Sequence, residues 1–167
     1  PAQAIAFAKS RVSAELIYRY TREQLERARP RLPADGTARG GESAPLHERL
    51  RPYRGGYLPE ERRAIEKALF SGELRGAVST NALELGIDVG GLDAAVLVGA
   101  APTLASIWQQ AGRAGRSGAP SLVVLVAYND TVDQYLMRRP GFLFGRPTEA
   151  ACVDPHNPYI LAQQLAC

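Results

Sequence analysis

Gln109-Gln110-Ala111-Gly112-Arg113-Ala114-Gly115-Arg116 sets two arginines three residues apart, each preceded by a glycine, with a glutamine four residues before the first. If the stretch is helical, Arg113 and Arg116 share one face, because residues i and i+3 are neighbours on a helix surface. Two guanidiniums on one face make a fork for oxyanions, phosphate first among them. Gly112 and Gly115 cost helix stability, yet they let another backbone or a ligand come close. A solvated basic helix end running into the turn Ser117-Gly118 fits the same spacing. The octapeptide alone leaves both readings open.

The rest of the chain supplies the context, because strand-like and helix-like segments alternate along it. Residues 2–8 read as a buried strand, with Ser10 placed to cap a helix over residues 12–29 that carries Leu16, Ile17, Tyr20 and Leu25 on its apolar stripe. A short strand at residues 53–58 runs into a glycine turn. Pro59, Glu60 and Glu61 then open a helix with Ile65, Leu69 and Phe70 inward and Gly72 at its end. A strand over residues 75–80 precedes a short helix-prone segment at 81–85. The continuous apolar run at 94–99 suits a central parallel strand. Pro102-Thr103 opens the helix that carries Trp108 and the arginine motif. Residues 122–127 read as another buried strand, and helical patterns follow at 130–139 and 155–165. This alternation predicts an α/β fold with a mostly parallel sheet and helices on both faces.

Residues 30–52 differ in kind. Pro30, Pro33, Pro45 and Pro52 with Gly36, Gly40 and Gly41 read as a flexible or irregular insertion. The whole chain has 167 residues, 46% hydrophobic and 22% charged, with a net charge of +3 and pI near 9.1. That size carries one domain with a real core. The basic balance is compatible with nucleic acid but too weak to establish it. The excess is arginine, which suits planar phosphate recognition and equally follows from a GC-rich genome. Cys152 and Cys167 make no disulfide framework, and with His156 they give no convincing zinc pattern. No apolar run approaches the roughly 18 residues of a membrane span, and no secretory signal is visible. The expected setting is cytoplasmic and reducing, and both ends read as those of an excised domain.

In an open α/β sheet, ligands bind beyond the carboxyl ends of the strands. Three stretches follow strands here: Lys9-Ser10-Arg11, residues 79–88, and the arginine octapeptide. They are expected to converge on one surface. In the middle stretch, VSTNALELGIDV, Thr80 and Asn81 leave a strand with hydroxyl, amide and backbone N–H groups suited to a phosphate. Gly86 admits close backbone approach, and Asp88 offers an acceptor to a ribose hydroxyl. A cap at Thr80 and a turn at Gly86-Ile87-Asp88 explain either piece alone. They do not explain the order of both pieces followed by QQAGRAGR.

At these residues the chain resembles the second RecA-like domain of a superfamily 2 helicase. KSRVSAELI resembles motif IV, VSTNALELGIDV motif V, and QQAGRAGR motif VI. YRGGYLPEERR, TNALELGID, SIWQQAGRAGR, DQYL and DPHNPYIL are most similar to the YprA-like, mitomycin-repair type of DNA helicase, a bacterial relative of a fungal RecQ-related helicase with a zinc-binding C-terminal region. The resemblance covers nearly everything outside the insertion and implies a RecA-like three-layer sandwich. It implies that Arg116 is the arginine finger, Arg113 the second γ-phosphate arginine and Gln109 a residue near the nucleotide. Gly86 and Asp88 match positions sensing phosphate and ribose. Ser10, Arg11, Thr80 and Asn81 match contacts to the nucleic-acid backbone, with Arg54 and Gly55 in a further backbone-contact loop. The implied partners are DNA and a first RecA-like domain, and the implied cofactor is ATP with Mg, held jointly with that domain.

The chain contains no G-x-x-x-x-G-K-[ST] and no Asp-Glu box after a strand. The ATP-cradling half is therefore absent. This chain alone is expected neither to hold ATP and Mg, nor to hydrolyse ATP, nor to unwind DNA. Three functions stand against one another: the C-terminal motor domain of a 3′-to-5′ DNA helicase acting in repair, a non-unwinding or RNA-directed motor, and a non-catalytic nucleic-acid-binding module. Gln109, Arg113 and Arg116 together argue against the last. Of the smaller candidates, Trp108 is expected in the core rather than stacked on a base. Asp130 and Asp133 are expected in a first helical turn rather than on a metal, and Phe142-Leu143-Phe144 in an interdomain contact.

Overall fold

The computed structural model describes residues 2–28, 44–83, 91–115, 120–150, 154 and 156–165. Five parallel strands form the sheet: β1 (Ala4–Ala8), β2 (Leu50–Tyr53), β3 (Gly76–Ser79), β4 (Ala94–Val98) and β5 (Leu122–Val126), in the order β2-β3-β1-β4-β5. Each crossover is long enough to carry a helix, as parallel pairing requires. The helices are α1 (Arg11–Arg27), α2 (Pro59–Phe70), α3 (Leu104–Ala111), α4 (Thr131–Arg138), α5 (Pro140–Phe144) and α6 (Pro158–Leu165).

The two faces of the sheet bury different helices, giving the α/β sandwich expected from the alternation. On one face Ala14, Ile17 and Tyr18 of α1 pack on Ala8, Leu50 and Val78 of β1, β2 and β3. On the other, Leu69 of α2, Leu104 and Ile107 of α3, and Leu136 of α4 pack on Ile5, Ala77, Ala95 and Leu97. Leu69 and Leu97 are each 1% exposed, and truncating such a side chain to alanine costs about 2–5 kcal/mol. Helix entry follows local chemistry. Ser10, Thr103 and Asp130 each accept from the backbone N–H three residues on, and Glu61 accepts from the Leu58 N–H at 2.9 Å where Pro59 begins α2.

Several expectations need correction. The insertion ends earlier than residue 52: Leu46–Arg49 form a 3₁₀ turn and β2 begins at Leu50. Pro52 is tolerated there because β2 is an edge strand. Residues 29–43 lie outside the described residues. The expected strand at 53–58 is instead the end of β2 and the turn after it. Leu16, Tyr20 and Phe70 are 40%, 53% and 69% exposed, because the buried stripe of α1 runs through Ala14, Ile17 and Tyr18 and that of α2 through Ile65 and Leu69. β5 is not a buried strand: Leu122 is 61% and Val126 47% exposed. β5 lies at the sheet's edge, and α1 packs over β1, β2 and β3.

Candidate nucleic-acid interface

The strands β2, β3 and β1 are neighbours, so the loops at their carboxyl ends are neighbours too. Ser10 ends the β1 loop and caps α1, its Oγ accepting from the Ser13 N–H at 3.0 Å. Tyr53 closes β2. It is fully buried, donates to Glu66 Oε1 at 2.6 Å and accepts from Arg62 Nε at 3.0 Å, which fixes the start of the turn carrying Arg54 and Gly55. At the end of β3 the buried Ser79 hydroxyl donates to the Thr80 carbonyl at 2.8 Å, and Asn81 opens a 3₁₀ turn.

These loops enclose a cleft of about 330 Å³ lined by Ser10, Arg11, Gly55, Thr80 and Asn81 together with Lys9 and Ala82. It brings together five of the six backbone-contact candidates. The sixth, Arg54, stands outside it, with Nε 3.9 Å from Glu15 and its guanidinium over the Tyr57 ring. Among the described residues no carboxylate lines the cleft. Gly55 lies beside the Arg11 guanidinium: a Cβ there would stand 3.5 Å from Arg11 Nη2, an ordinary contact distance. The first-turn N–H groups of α1 add partial positive charge. Cation, hydroxyls, amide and helix N-terminus together make a concave surface for a phosphodiester.

Lys9, directly after β1, also lines the cleft, but its charge is committed to two aspartates. Its Nζ donates to Asp130 at 3.0 Å and Asp133 at 3.2 Å and sits over the Tyr128 ring. Burial pulls the Lys9 ammonium down, but the bonds and charges of the two aspartates outweigh this and hold it above its usual value. Asp130 is held below the usual carboxylate range by the Asp133 N–H first and Lys9 second. Asp133 is fully buried and also accepts from the Ala100 N–H at 3.1 Å and the Tyr128 N–H at 2.7 Å. One carboxylate thus ties together the loops after β1, β4 and β5. Asp130 and Asp133 do lie at the start of a helix as expected, and what they hold is a lysine. The only advance signal was that Lys9 is one of two lysines among 20 basic residues, directly after a strand.

The arginine motif lies elsewhere. α3 ends at Ala111, and the Gly112 N–H closes it on the Trp108 carbonyl at 2.8 Å. Gln109 is exposed in the last turn. Arg113 has left the helix: Leu92 N–H donates to the Arg113 carbonyl at 3.0 Å, and Gly115 N–H donates to the Leu92 carbonyl at 2.8 Å. Gly115 has φ of +107°, which a residue with a Cβ adopts only with strain. Leu92 precedes β4, so Arg113 sits at the amino edge of the sheet. Arg113 therefore does not stand on a helical face, and contrary to expectation it does not join Ser10, Arg11, Thr80 and Asn81 at the carboxyl edge. Backbone pairing overrides helix continuation at the two glycines and returns the chain to the amino edge. Gly86, Asp88 and Arg116 lie outside the described residues, as do Cys152 and Cys167.

Trp108 is also corrected. It is 39% exposed and meets Phe144 edge to face at 5.8 Å, because α3 turns Leu104, Ile107 and Ala111 to the core instead. Phe142 and Leu143 pack against the core while Phe144 stays outside. Glu149 returns to the start of α3, accepting from the Leu104 and Ala105 N–H groups at 2.7 and 3.0 Å, and those bonds depress its pKa. Among the described residues no His, Cys, Asp and Glu cluster suits a metal, and no helix is long and apolar enough to cross a membrane.

Comparison with known proteins places this geometry. Residues 2–118 match the model of the helicase conserved C-terminal domain. The uncharacterized ATP-dependent helicase YprA of Bacillus subtilis is 44% identical over 165 residues, which cover 99% of this chain and 20% of that protein. A crystal structure of the DUF1998 helicase MrfA bound to DNA and AMPPNP superposes with a TM-score of 0.82 at 42% identity, over 98% of this chain and 21% of that one. Mycobacterium smegmatis helicase Lhr, bound to ssDNA and AMP-PNP, gives 0.69 at 32% identity, over 98% and 20%. The chain thus spans about a fifth of the length of the proteins it matches. Its sandwich is RecA-like, and the chain belongs to the helicase conserved C-terminal domain family of superfamily 2, related to the YprA, MrfA and Lhr helicases.

Proposed function

We propose that residues 1–167 are the second motor domain of an ATP-dependent DNA helicase, working against a first RecA-like domain elsewhere in the same polypeptide. The observation that carries this reading is the cleft at the carboxyl edge, where Ser10, Arg11, Gly55, Thr80 and Asn81 meet around the start of α1. In this reading the cleft holds the phosphate backbone of one DNA strand. Arg54 joins it from the rim of the same loop.

The arginine motif serves the second task. Arg113 and Arg116 supply the γ-phosphate fork, Gln109 stands near the nucleotide, and Gly86 and Asp88 meet phosphate and ribose. ATP with Mg would be held jointly with the first domain, and its binding would supply the free energy for closing the two domains on each other. Phosphoryl transfer depends on positioning and charge stabilisation, and an arginine finger contributes about 10³–10⁵ in rate. Separate edges for the two tasks fit a motor, since closure on ATP shifts the grip of a distant cleft on the strand. By resemblance the motor runs 3′ to 5′, acts in DNA repair, is RecQ-related with a zinc-binding region further along, and works in the bacterial cytoplasm.

Arg116→Ala and Arg113→Ala in the intact helicase test the reading. ATP turnover is expected to fall by about 10³ or more, with binding of single-stranded DNA within about twofold of the parent. Surviving turnover would remove the finger assignment. The chain by itself is expected to show no turnover, since it has no phosphate-cradling lysine loop.

A further inference from the structure

A second, larger crevice adjoins the backbone cleft and has no role in the reading above. Its volume is about 700 Å³, within the range of pockets that take small organic groups. It opens between the carboxyl ends of β1 and β4. β1 leaves the sheet through α1 on one face and toward β2 and β3. β4 leaves through α3 on the opposite face and toward β5. The connections therefore diverge at β1 and β4, and this is where open α/β sheets leave a ligand crevice.

The lining argues for a flat heteroaromatic group rather than a phosphate. Phe7 and Ala8 line the β1 side, and Gly99, Ala100, Ala101 and Pro102 form one wall. Ser106 and Gln110 come from α3, and Thr131 faces them from α4. The charged groups at its mouth, Lys9 and Asp130, are paired at 3.0 Å, so their charges largely cancel and the carboxylate disfavours a phosphate. Apolar walls with amides and hydroxyls suit the faces and edges of a base. Gly99 keeps this arrangement: its φ is +82°, and a Cβ there would lie 2.4 Å from Lys9 Cε.

The crevice and the backbone cleft share Lys9 and the exposed Asn81. A phosphate on Ser10, Arg11 and Thr80 would lie beside Asn81, which lines both spaces. We infer that the β1–β4 crevice is a base-binding subsite that receives one unstacked base of the strand held by the neighbouring cleft. This rests on the nucleic-acid reading of that cleft and adds a base contact to it. A motor whose domain also grips a base senses whether one is present at each step.

The test uses the intact helicase and a DNA duplex with a single-stranded 3′ tail, which fixes the register. Single abasic sites are placed at successive tail positions, and affinity is read by fluorescence anisotropy. One position is expected to weaken binding about tenfold, the scale of a single lost base contact. Ser106→Trp fills the crevice, and Thr131→Phe fills it from the exposed opposite wall should the first variant fail to fold. Either is expected to weaken the intact tail to the abasic level and to leave that abasic tail unchanged. Abasic effects below about twofold at every position overturn the inference and leave the backbone reading standing. So does an abasic effect that persists undiminished in the filled variants, since the base is then read elsewhere. Failure of the intact tail to bind at all overturns the reading beneath it as well.

Discussion

Lys9 and Asp133, 124 residues apart in the chain, meet at 3.2 Å at the carboxyl edge of the sheet. The carboxylate is fully buried while the lysine side chain is 39% exposed, so the pair links the core to the rim of the backbone cleft. Removing the buried partner leaves the Ala100 and Tyr128 N–H groups without their acceptor and Lys9 with Asp130 alone. Asp133→Ala is expected to cost about 2–6 kcal/mol, about 1–3 for each N–H group left unpaired. Asp133→Asn, which retains one acceptor oxygen, is expected to cost less. Equilibrium urea unfolding of the two variants measures the order, and equal stability of Asp133→Ala and the parent would dismiss the clamp.

Asp130 gives the pH dependence. Its folded pKa is depressed, by the Asp133 N–H and then by Lys9. A depressed carboxylate stabilises the fold above its unfolded pKa, and that contribution is lost as pH falls through the folded one. Asparagine still caps a helix but carries no charge for Lys9. Asp130→Asn is therefore expected to melt below the parent at neutral pH. The gap should close as the solution is acidified beneath the ordinary carboxylate range. A gap that widens in acid would contradict the assignment.

Most of the strands and helix starts were legible because they are written locally. Ser10, Thr103 and Asp130 announce helix starts through a side chain that caps its own turn, and apolar runs such as residues 94–98 announce parallel strands. The cleft was legible for the same reason: its residues directly follow strands, and parallel pairing gathers strand ends. What failed depended on distant partners. Nothing near Arg113 reveals that Leu92 will bridge to Ala114 and draw the chain out of the helix. Nothing near Leu122 shows that β5 lies at an edge. Lys9 acquires its role from aspartates more than 120 residues away. Trp108 looked like core by residue type, but the periodicity of α3 turns it outward beside Phe144.

Gly99 is where a single methyl group should matter. Its left-handed backbone disfavours any side chain, by about 1–2 kcal/mol. The added Cβ would also press on Lys9 Cε at 2.4 Å and the Tyr128 ring at 2.5 Å. Gly99→Ala is expected to lose about 2 kcal/mol or more, read by denaturant titration. Lys9→Ala removes one of the two clashes. The double variant should therefore lose less than the sum of the singles. Strict additivity would show that Lys9 is not held where the glycine meets it.

Arg11 separates function from folding. It is the first residue of α1 and exposed, where the helix dipole disfavours a cation by about 0.3–1 kcal/mol. A residue that serves the fold badly at its own position, beside Ser10 and Thr80 in a cleft with no carboxylate among its described residues, is best explained by an anionic ligand. Arg11→Ala is expected to leave the melting temperature unchanged or slightly raised. In the intact helicase the same variant should weaken binding of single-stranded DNA similarly across sequences. The slope of log affinity against log salt should become shallower by about 0.7, the value for one phosphate contact on a single strand. Loss of stability with an unchanged salt slope would make Arg11 a structural residue and remove the main cation from the cleft.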